Sequence, residues 1–280
     1  MSPTGTAEVV EDPRQGKDYT RTGLLRELWE YRELFYFLAW RDMKVRYKQT
    51  VLGVLWALIQ PFFTMLVFTV VFGVMANIPS DGVPKPIFYF SALLPWIYFS
   101  STLSYGGMSL LNNSNLLTKI YFPRVILPAA AALGGLLDFA IGTVMLVGIT
   151  VYYGFPLGWH SLLWPVLVVP LVLLTFGLSA FLAALNVKYR DIKYAIPFAI
   201  QLWLFITPII YPSSIFPERF RWVLALNPLT GLIEMFRFAV IPGQTVHWDL
   251  LALSLATTVL VTLFGLVYFK RAERAFADIV

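Results

Sequence analysis

Residues 125–187 read VILPAAAALGGLLDFAIGTVMLVGITVYYGFPLGWHSLLWPVLVVPLVLLTFGLSAFLAALNV, and Asp138 is the only one of these 63 residues that carries a formal charge. A helix that crosses a membrane needs roughly 20 apolar residues to span a hydrocarbon core about 30 Å thick. This stretch is long enough for two such helices, and the turn-forming residues 154–158, GFPLG, separate them. The pattern indicates an integral membrane protein.

The rest of the chain has the same character. Of its 280 residues, 58% are hydrophobic and 13% are charged, whereas soluble domains average about 45–50% and about 25%. Further uncharged stretches are residues 49–80, 86–118, 194–217 and 250–269. We therefore predict an all-α integral membrane protein with a six-helix transmembrane domain at residues 51–280. Its spans are expected at about 52–76, 87–110, 126–152, 162–186, 195–215 and 249–269.

Basic residues are distributed unevenly between the predicted loops. Of the 21 Lys and Arg residues, 17 fall on the side of the termini and four on the other side. Because cytoplasmic loops carry the excess of Lys and Arg, both termini are predicted in the cytoplasm. The net charge of +5 follows from this topology and gives no reason to expect a nucleic-acid partner.

The N-terminal region precedes the first span. Residues 1–21 are polar and predict a flexible tail, whereas residues 22–50 combine apolar residues at helical spacing with several basic ones. This pattern is typical of an amphipathic helix in the cytoplasmic interface. A basic anchor that only orients the first span is the simpler interpretation.

Two later segments also lie outside the predicted spans. In residues 114–121, a short cytoplasmic helix is predicted, with Ser114 or Asn113 as its cap; the alternative is an ordinary loop. Residues 218–249 are interrupted by Asn227-Pro228 and predict two short helices at the outer membrane surface or re-entering it, where Glu234 and Arg237 can pair. Here the alternative is a loop with aromatic anchors.

Motifs for chemistry on this chain are missing from the sequence. It has no cysteine, and its two histidines have no partner at metal-ligand spacing, so we expect no metal site. The phosphate-binding motif G-x-x-x-x-G-K-[ST] does not occur either, so the chain alone is not expected to hydrolyse ATP. We predict that the chain is not itself an enzyme and that it holds no cofactor.

Asp138 lies within a predicted span, and two interpretations stay open. An ionisable group at membrane depth is by default a functional candidate, here a proton site or a substrate contact. The alternative is a carboxyl that holds two helices together through hydrogen bonds. No Lys, Arg or His lies near it in the sequence, which weakens the case for a proton relay.

The aromatic share of 16% is high, and most of these residues are expected to face lipid or the membrane interfaces. A minority can line a conduit for sugars, because aromatic rings stack on the apolar faces of pyranoses. The candidates for this conduit are Phe62, Tyr98, Phe99, Tyr105 and Trp203.

Three stretches carry a resemblance to a known family. They are FLAWRDMKVRYKQTVLG at residues 37–53, continuing to Trp56 and Gln60-Pro61, LTKIYFPR at residues 117–124, and NPLTGLIEMFR at residues 227–237. Together they resemble the permeases of ABC exporters of the type-2 polysaccharide and polyol-phosphate family, such as O-antigen and teichoic-acid translocation permeases. The resemblance extends from about residue 35 to residue 270.

The resemblance implies a multi-pass half-transporter in the bacterial cytoplasmic (inner) membrane. Two copies of this chain would form the conduit, and two copies of a separate nucleotide-binding subunit would bind ATP and Mg²⁺. The cargo would be a polysaccharide linked to a polyprenyl diphosphate. Residues 22–48 would form the interface helix, residues 114–121 the coupling helix that contacts the ATPase, and residues 218–240 the outer gating helices.

The expected sites follow from these roles. ATPase coupling is assigned to Leu116, Leu117, Lys119, Tyr121, Phe122 and Arg124. The cytoplasmic entrance for the cargo is assigned to Arg41, Lys44, Arg46, Lys48 and Lys119. The outer gate is assigned to Asn227, Pro228, Glu234 and Arg237.

Rival function classes fit the sequence less well. A secondary transporter should show inverted repeats with matching charged or broken helices, and the second half of the chain has no counterpart of Asp138. A membrane-embedded glycosyl- or phosphotransferase needs clustered acidic groups, and only Asp42 and Asp191 are available near the cytoplasmic side. The alternative that we retain is an exporter of the same fold whose cargo is a drug or a lipid.

Overall fold

The computed structural model describes residues 29–48, 52–119, 122–155, 157–189, 191–217, 221–241 and 247–273, and in these ranges the chain is helical and forms no strand. Its α-helices are α1 (Arg32–Lys48), α2 (Trp56–Phe68), α3 (Lys85–Asn112), α4 (Ser114–Lys119), α5 (Ile126–Gly134), α6 (Leu136–Tyr152), α7 (Leu163–Lys188), α8 (Ile192–Ile206), α9 (Arg221–Ala225), α10 (Pro228–Val240) and α11 (Trp248–Glu273). Shorter 3-10 helices lie at Gly53–Leu55, Trp159–Leu162 and Ser213–Ile215, and α2 continues as a π-helix at Thr69–Met75. The predicted tail and residues 22–28 of the predicted interface helix lie outside the described ranges.

Within the described ranges, five helical segments are long and apolar enough to cross a membrane, so the chain is a multi-pass membrane protein. They are Gly53–Met75, Lys85–Asn112, Ile126–Tyr152, Trp159–Lys188 and Trp248–Glu273. Each overlaps one of the predicted spans, because a run without charges is both the sequence signal and the physical requirement for a helix in lipid.

The predicted span at 195–215 differs from the structure. Its helix, α8, has 15 residues and is therefore about 22 Å long, which is less than the hydrocarbon thickness of a bilayer. It ends at Ile206 because Pro208 follows Thr207, and a residue before proline is pushed out of the helical region. Thr207 accordingly has φ −88° and ψ 138°, and the residues to 215 are not α-helical.

The bundle has two apolar cores, one towards each end. The larger core surrounds the first half of α3 and includes Phe88, Phe99, Phe139, Leu171 and Phe236. The smaller core joins α1 and α5 to the second halves of α3, α7 and α11, and includes Leu38, Leu110, Ile126, Ala183 and Phe269. We refer to the two regions as the α10 end and the α1 end. Helix α3 passes through both cores and forms the centre of the bundle.

Helices α7 and α11 cross at very short range, and two glycines make this possible. A Cβ atom on Gly265 would lie 2.1 Å from the carbonyl oxygen of Gly177. At the same crossing, the Thr262 hydroxyl donates a hydrogen bond of 3.0 Å to the carbonyl oxygen of Leu173. Small residues and interhelical hydrogen bonds of this kind are what hold helices together in a membrane, where lipid competes for apolar contacts.

Candidate functional site

Helix α1 packs on α5 at the α1 end. Its apolar stripe faces the protein, with Leu38 buried and Leu34 and Phe35 packed against the smaller core. Tyr36 and Phe37, by contrast, are more than 60% exposed. Exposed aromatic residues on a basic helix suit the boundary between lipid headgroups and water.

Arg41 connects α1 to the junction between α3 and α4. Its guanidinium donates to Asp42 Oδ1, at 3.0 Å from Nε and 2.8 Å from Nη2, and Nη2 also donates to Asn113 Oδ1 at 2.8 Å. Asn113 is the C-cap of α3 and precedes the first residue of α4. The position of α1 is therefore tied to the position of α4.

The other residues predicted for the entrance divide into two groups. Lys44, Lys48 and Lys119 are exposed, and the Lys44 ammonium lies 5.4 Å from the ring centre of Trp40. Arg46, in contrast, turns towards the bundle and donates from Nη1 to Asp138 Oδ2. The structure thus leaves three lysines available to solvent, whereas both arginines already have acidic partners.

The ion pair between Arg46 and Asp138 joins residues 92 positions apart. The side chains are 24% and 28% exposed, and the Arg46 guanidinium also lies 4.8 Å from the ring centre of Tyr105. This corrects the sequence interpretation that Asp138 has no cationic partner: the partner comes from α1, which the sequence places outside the membrane. The contact links α1 to α6.

The segment predicted to couple to an ATPase is only partly available for a partner. Helix α4 exposes Lys119, while Leu116 and Leu117 are half-buried against the smaller core. Phe122 was expected to contact the ATPase, but it is 3% exposed and anchors the segment in that core. The backbone N–H of Arg124 donates to Glu273 Oε1 at 3.0 Å, and Tyr121 lies outside the described residues.

The predicted conduit aromatics do not form one group. Tyr98 and Phe99 are buried inside the bundle, at 3% and 0% exposed, and neither lines an open path in this structure. The Tyr98 hydroxyl donates to the carbonyl oxygen of Ala132 at 2.9 Å, so this side chain holds α3 against α5. Phe62 and Tyr105 are exposed, at 42% and 54%. Tyr98 and Tyr105 share one face of α3, yet neighbouring helices cover only the first of them.

Asn227 organises the α10 end. Its Oδ1 accepts hydrogen bonds from Trp203 Nε1 at 2.9 Å and from the backbone N–H of Leu229 at 3.1 Å, which caps α10. Its Nδ2 donates to Thr207 Oγ1 at 2.9 Å. The next residue, Pro228, occupies the first turn of α10, where a proline costs no helical hydrogen bond. Asn227 thus joins the start of α10 to the end of α8.

Arg237 is buried in the same region. It donates from Nη2 to the carbonyl oxygen of Ile209 at 2.8 Å and from Nε to that of Phe88 at 3.4 Å, and its guanidinium lies 3.9 Å from the Phe88 ring centre. Burial lowers the pKa of Arg237 to about 10, and the negative charges of Glu234 and Asp81 oppose this shift. The group therefore stays charged at neutral pH and holds α10 against α3 and the chain that follows α8.

Comparison with known proteins gives one consistent result. The family model described as ABC-2 type transporter matches residues 33–241. The chain is 34% identical to the O-antigen export system permease protein RfbA of Myxococcus xanthus over 255 residues, which cover 89% of this chain and 96% of that protein. It is 28% identical to RfbA of Klebsiella pneumoniae over 86% of this chain and 92% of that protein, and 26% identical to the polysialic acid transport protein KpsM of Escherichia coli over 84% and 92%.

Proposed function

Since the chain belongs to the ABC-2 type transporter family, we propose that it is the membrane permease subunit of an ABC transporter that exports a lipid-linked polysaccharide across the bacterial inner membrane. The observation that carries this proposal is the likeness to an O-antigen export permease over 89% of the chain. That likeness extends over 255 residues, and a second kind of polysaccharide transporter matches over 246 residues. The proposed cargo is a polymer on a polyprenyl diphosphate, such as an O-antigen or a teichoic-acid-type glycan.

In the membrane, the α1 end faces the cytoplasm and the α10 end faces outward. The excess of Lys and Arg in the sequence of the α1 end supports this orientation, which places both termini inside. The sixth crossing is completed by α8 together with residues 207–215. Helix α8 begins shortly after Lys188 at the α1 end. Trp203 in its last turn donates a hydrogen bond to Asn227 at the α10 end. Helices α9 and α10 form the outer, re-entrant layer.

Two copies of the chain form the conduit. Helix α2 supports this step, because it buries few of its residues in the protomer and exposes Phe62, Phe63 and Val67. A face of this kind can meet lipid on one side and a second copy on the other. Of the five predicted conduit aromatics, Tyr105 and Phe62 are exposed and available to a sugar chain, whereas Trp203 bonds to Asn227.

Energy comes from two copies of a separate ATPase subunit, which bind ATP and Mg²⁺. The ATPase docks on α4, whose exposed Lys119 is available, and on the exposed part of α1. A movement of α4 is transmitted to α1 through the hydrogen bond between Arg41 and Asn113, and to the smaller core through the packing of Phe122. The two elements that face the ATPase therefore move as one unit relative to the spans.

Deletion and complementation test this function. A strain without this chain should lose its surface polysaccharide and accumulate the lipid-linked polymer in the cytoplasm, and a plasmid copy of the chain should reverse both effects. Accumulation separates export from synthesis, because a block in synthesis leaves no polymer anywhere. A deletion strain with normal surface polysaccharide would overturn the proposal, and so would one that contains no polymer at all.

A further inference from the structure

The ion pair between Arg46 and Asp138 is not required by the topology of the chain. An arginine on α1 can reach water unaided, as the exposed Lys44 and Lys48 on the same helix do. Its partner is instead an acidic residue inside a membrane-spanning segment, where a charge is costly and is seldom found without a role. Placing Asp138 in this segment costs free energy, and the role of α1 as a positive-inside anchor does not explain why the chain has this residue.

The geometry of the pair leaves hydrogen-bonding capacity unused on both Arg46 and Asp138. Asp138 Oδ2 accepts from Arg46, whereas Asp138 Oδ1 is buried without a hydrogen-bond partner in the part of the chain that the structure describes. Arginine and carboxylate commonly form two parallel hydrogen bonds, and that arrangement suits a fixed brace. Here the side chains share one hydrogen bond, and both are about a quarter exposed. The guanidinium can thus be reached by a second anion.

Tyr105 is the third side chain at this site. Its ring lies 4.8 Å from the Arg46 guanidinium carbon, and Tyr105 is 54% exposed, so the guanidinium lies beside the surface of α3. A guanidinium that contacts a ring through its carbon can still donate from its N–H groups to an oxyanion. Phosphate oxygens match that fork better than a single carboxylate oxygen does.

We propose that Arg46, Asp138 and Tyr105 form a binding site for the phosphate groups of a lipid headgroup. Asp138 pairs with Arg46 while the site is empty, and the diphosphate of the cargo displaces Asp138 when it binds. This inference rests on the proposed export function. Asp138 competes with the headgroup, so it weakens binding and allows the headgroup to leave after each cycle. Arg46 binds the headgroup directly, and Tyr105 positions Arg46.

The two roles predict opposite effects of single substitutions. Asp138→Asn removes the competing charge, so the affinity for the diphosphate should rise about fivefold to tenfold, while export should slow because release is impaired. Arg46→Gln should lower the affinity by a similar factor. The double variant should bind like Arg46→Gln alone, because Asp138 acts only through Arg46. A purely structural brace predicts that both single variants lose binding and export together.

The experiment uses the complex of this chain with its ATPase in lipid nanodiscs. The probe is undecaprenyl diphosphate without sugars, and phosphatidylglycerol serves as a second anionic lipid. Asp191→Asn is the matched control, since it removes the same charge from an exposed residue at the α1 end that makes no side-chain capping bond. We expect Asp138→Asn to tighten the diphosphate and not phosphatidylglycerol, and Asp191→Asn to change neither.

Several results would overturn the inference. Weaker or unchanged diphosphate binding in Asp138→Asn would show a brace, and equal tightening of both lipids would exclude the cargo as the ligand. If Asp138→Asn does not fold, the charge exchange Arg46→Asp with Asp138→Arg keeps a pair, and it should fold while binding as weakly as Arg46→Gln. Wild-type binding in that exchange would again indicate a brace. A wild-type complex that neither binds the probe nor exports would instead refute the proposed function itself.

Discussion

Replacing Asn227 by Ala should destabilise the α10 end by an amount that the structure allows us to work out. The substitution removes the side chain that accepts from Trp203 Nε1 and from the backbone N–H of Leu229. It also removes the donor to Thr207, whose hydroxyl keeps its own bond of 2.8 Å to the carbonyl oxygen of Trp203. The main losses are therefore the cap of α10 and the partner of the indole N–H.

The two losses have known magnitudes. An Asn cap replaced by Ala costs about 1 kcal/mol. An N–H group left without a partner costs about 1–3 kcal/mol, and the lower value applies because Trp203 is only half-buried. We expect Asn227→Ala to lower the free energy of unfolding by about 2 kcal/mol. In a Trp203→Phe background the indole N–H is absent, so the same substitution should cost about 1 kcal/mol less.

The assay is unfolding by titration with SDS in mixed micelles, followed by far-ultraviolet circular dichroism. Asn112→Ala is the control, because Asn112 is an exposed amide at the other end of α3, where surface substitutions change stability by less than about 0.5 kcal/mol. If Asn227→Ala is as mild as this control, or costs the same with and without the Trp203 indole, Asn227 does not organise the α10 end as described.

Four further outcomes are expected. Gly265→Val should prevent assembly of the bundle, because its Cβ would lie 2.1 Å from the carbonyl oxygen of Gly177. Gly148→Val should be tolerated, because no neighbouring atom lies within 4 Å of its Cβ. The yield of folded protein in gel filtration measures both outcomes. Lys119→Glu should reduce stimulation of the partner ATPase in a coupled assay while the permease stays folded; unchanged stimulation would leave α1 as the docking element. Tyr105→Ala should slow export or open an ion leak in proteoliposomes, and a variant that does neither would show that Tyr105 does not line the conduit. Reporter fusions should read internal at Asn115, Arg190 and Val280 and external at Asp81, Gly154 and His247, and one reproducible inversion would break the proposed topology.

The membrane segments could be predicted from the sequence because they depend on one physical requirement. Charges are excluded from lipid, so the uncharged stretches give five candidate spans within a few residues of their positions in the structure. The start of α10 could also be predicted, since Asn is a preferred cap and Pro a preferred first residue of a helix, as Asn227 and Pro228 are here. The end of α8 had a signal too, Thr207 before Pro208, which the absence of charge up to residue 217 obscured.

The candidate site could be predicted less completely, because it depends on which faces of the helices meet. The pairing of Arg46 with Asp138 joins two segments that the sequence assigns to different environments, and no local pattern connects them. Aromatic composition singled out Tyr98 and the family resemblance singled out Phe122, but an aromatic side chain looks the same in the sequence whether it is buried or exposed. Their burial follows from the packing of α3 and α5 and of the smaller core.

ATP-dependent export by purified components tests the central claim most directly. The permease and its ATPase are reconstituted into proteoliposomes with a fluorescent polyprenyl-diphosphate-linked glycan, and complexes whose ATPase faces outward are driven by external ATP. The account predicts that glycan moves into the lumen and becomes protected from an external glycosidase, at a rate that Lys119→Glu reduces. Protection that is independent of ATP, or its absence in complexes that hydrolyse ATP, would contradict the claim that this chain is the export permease.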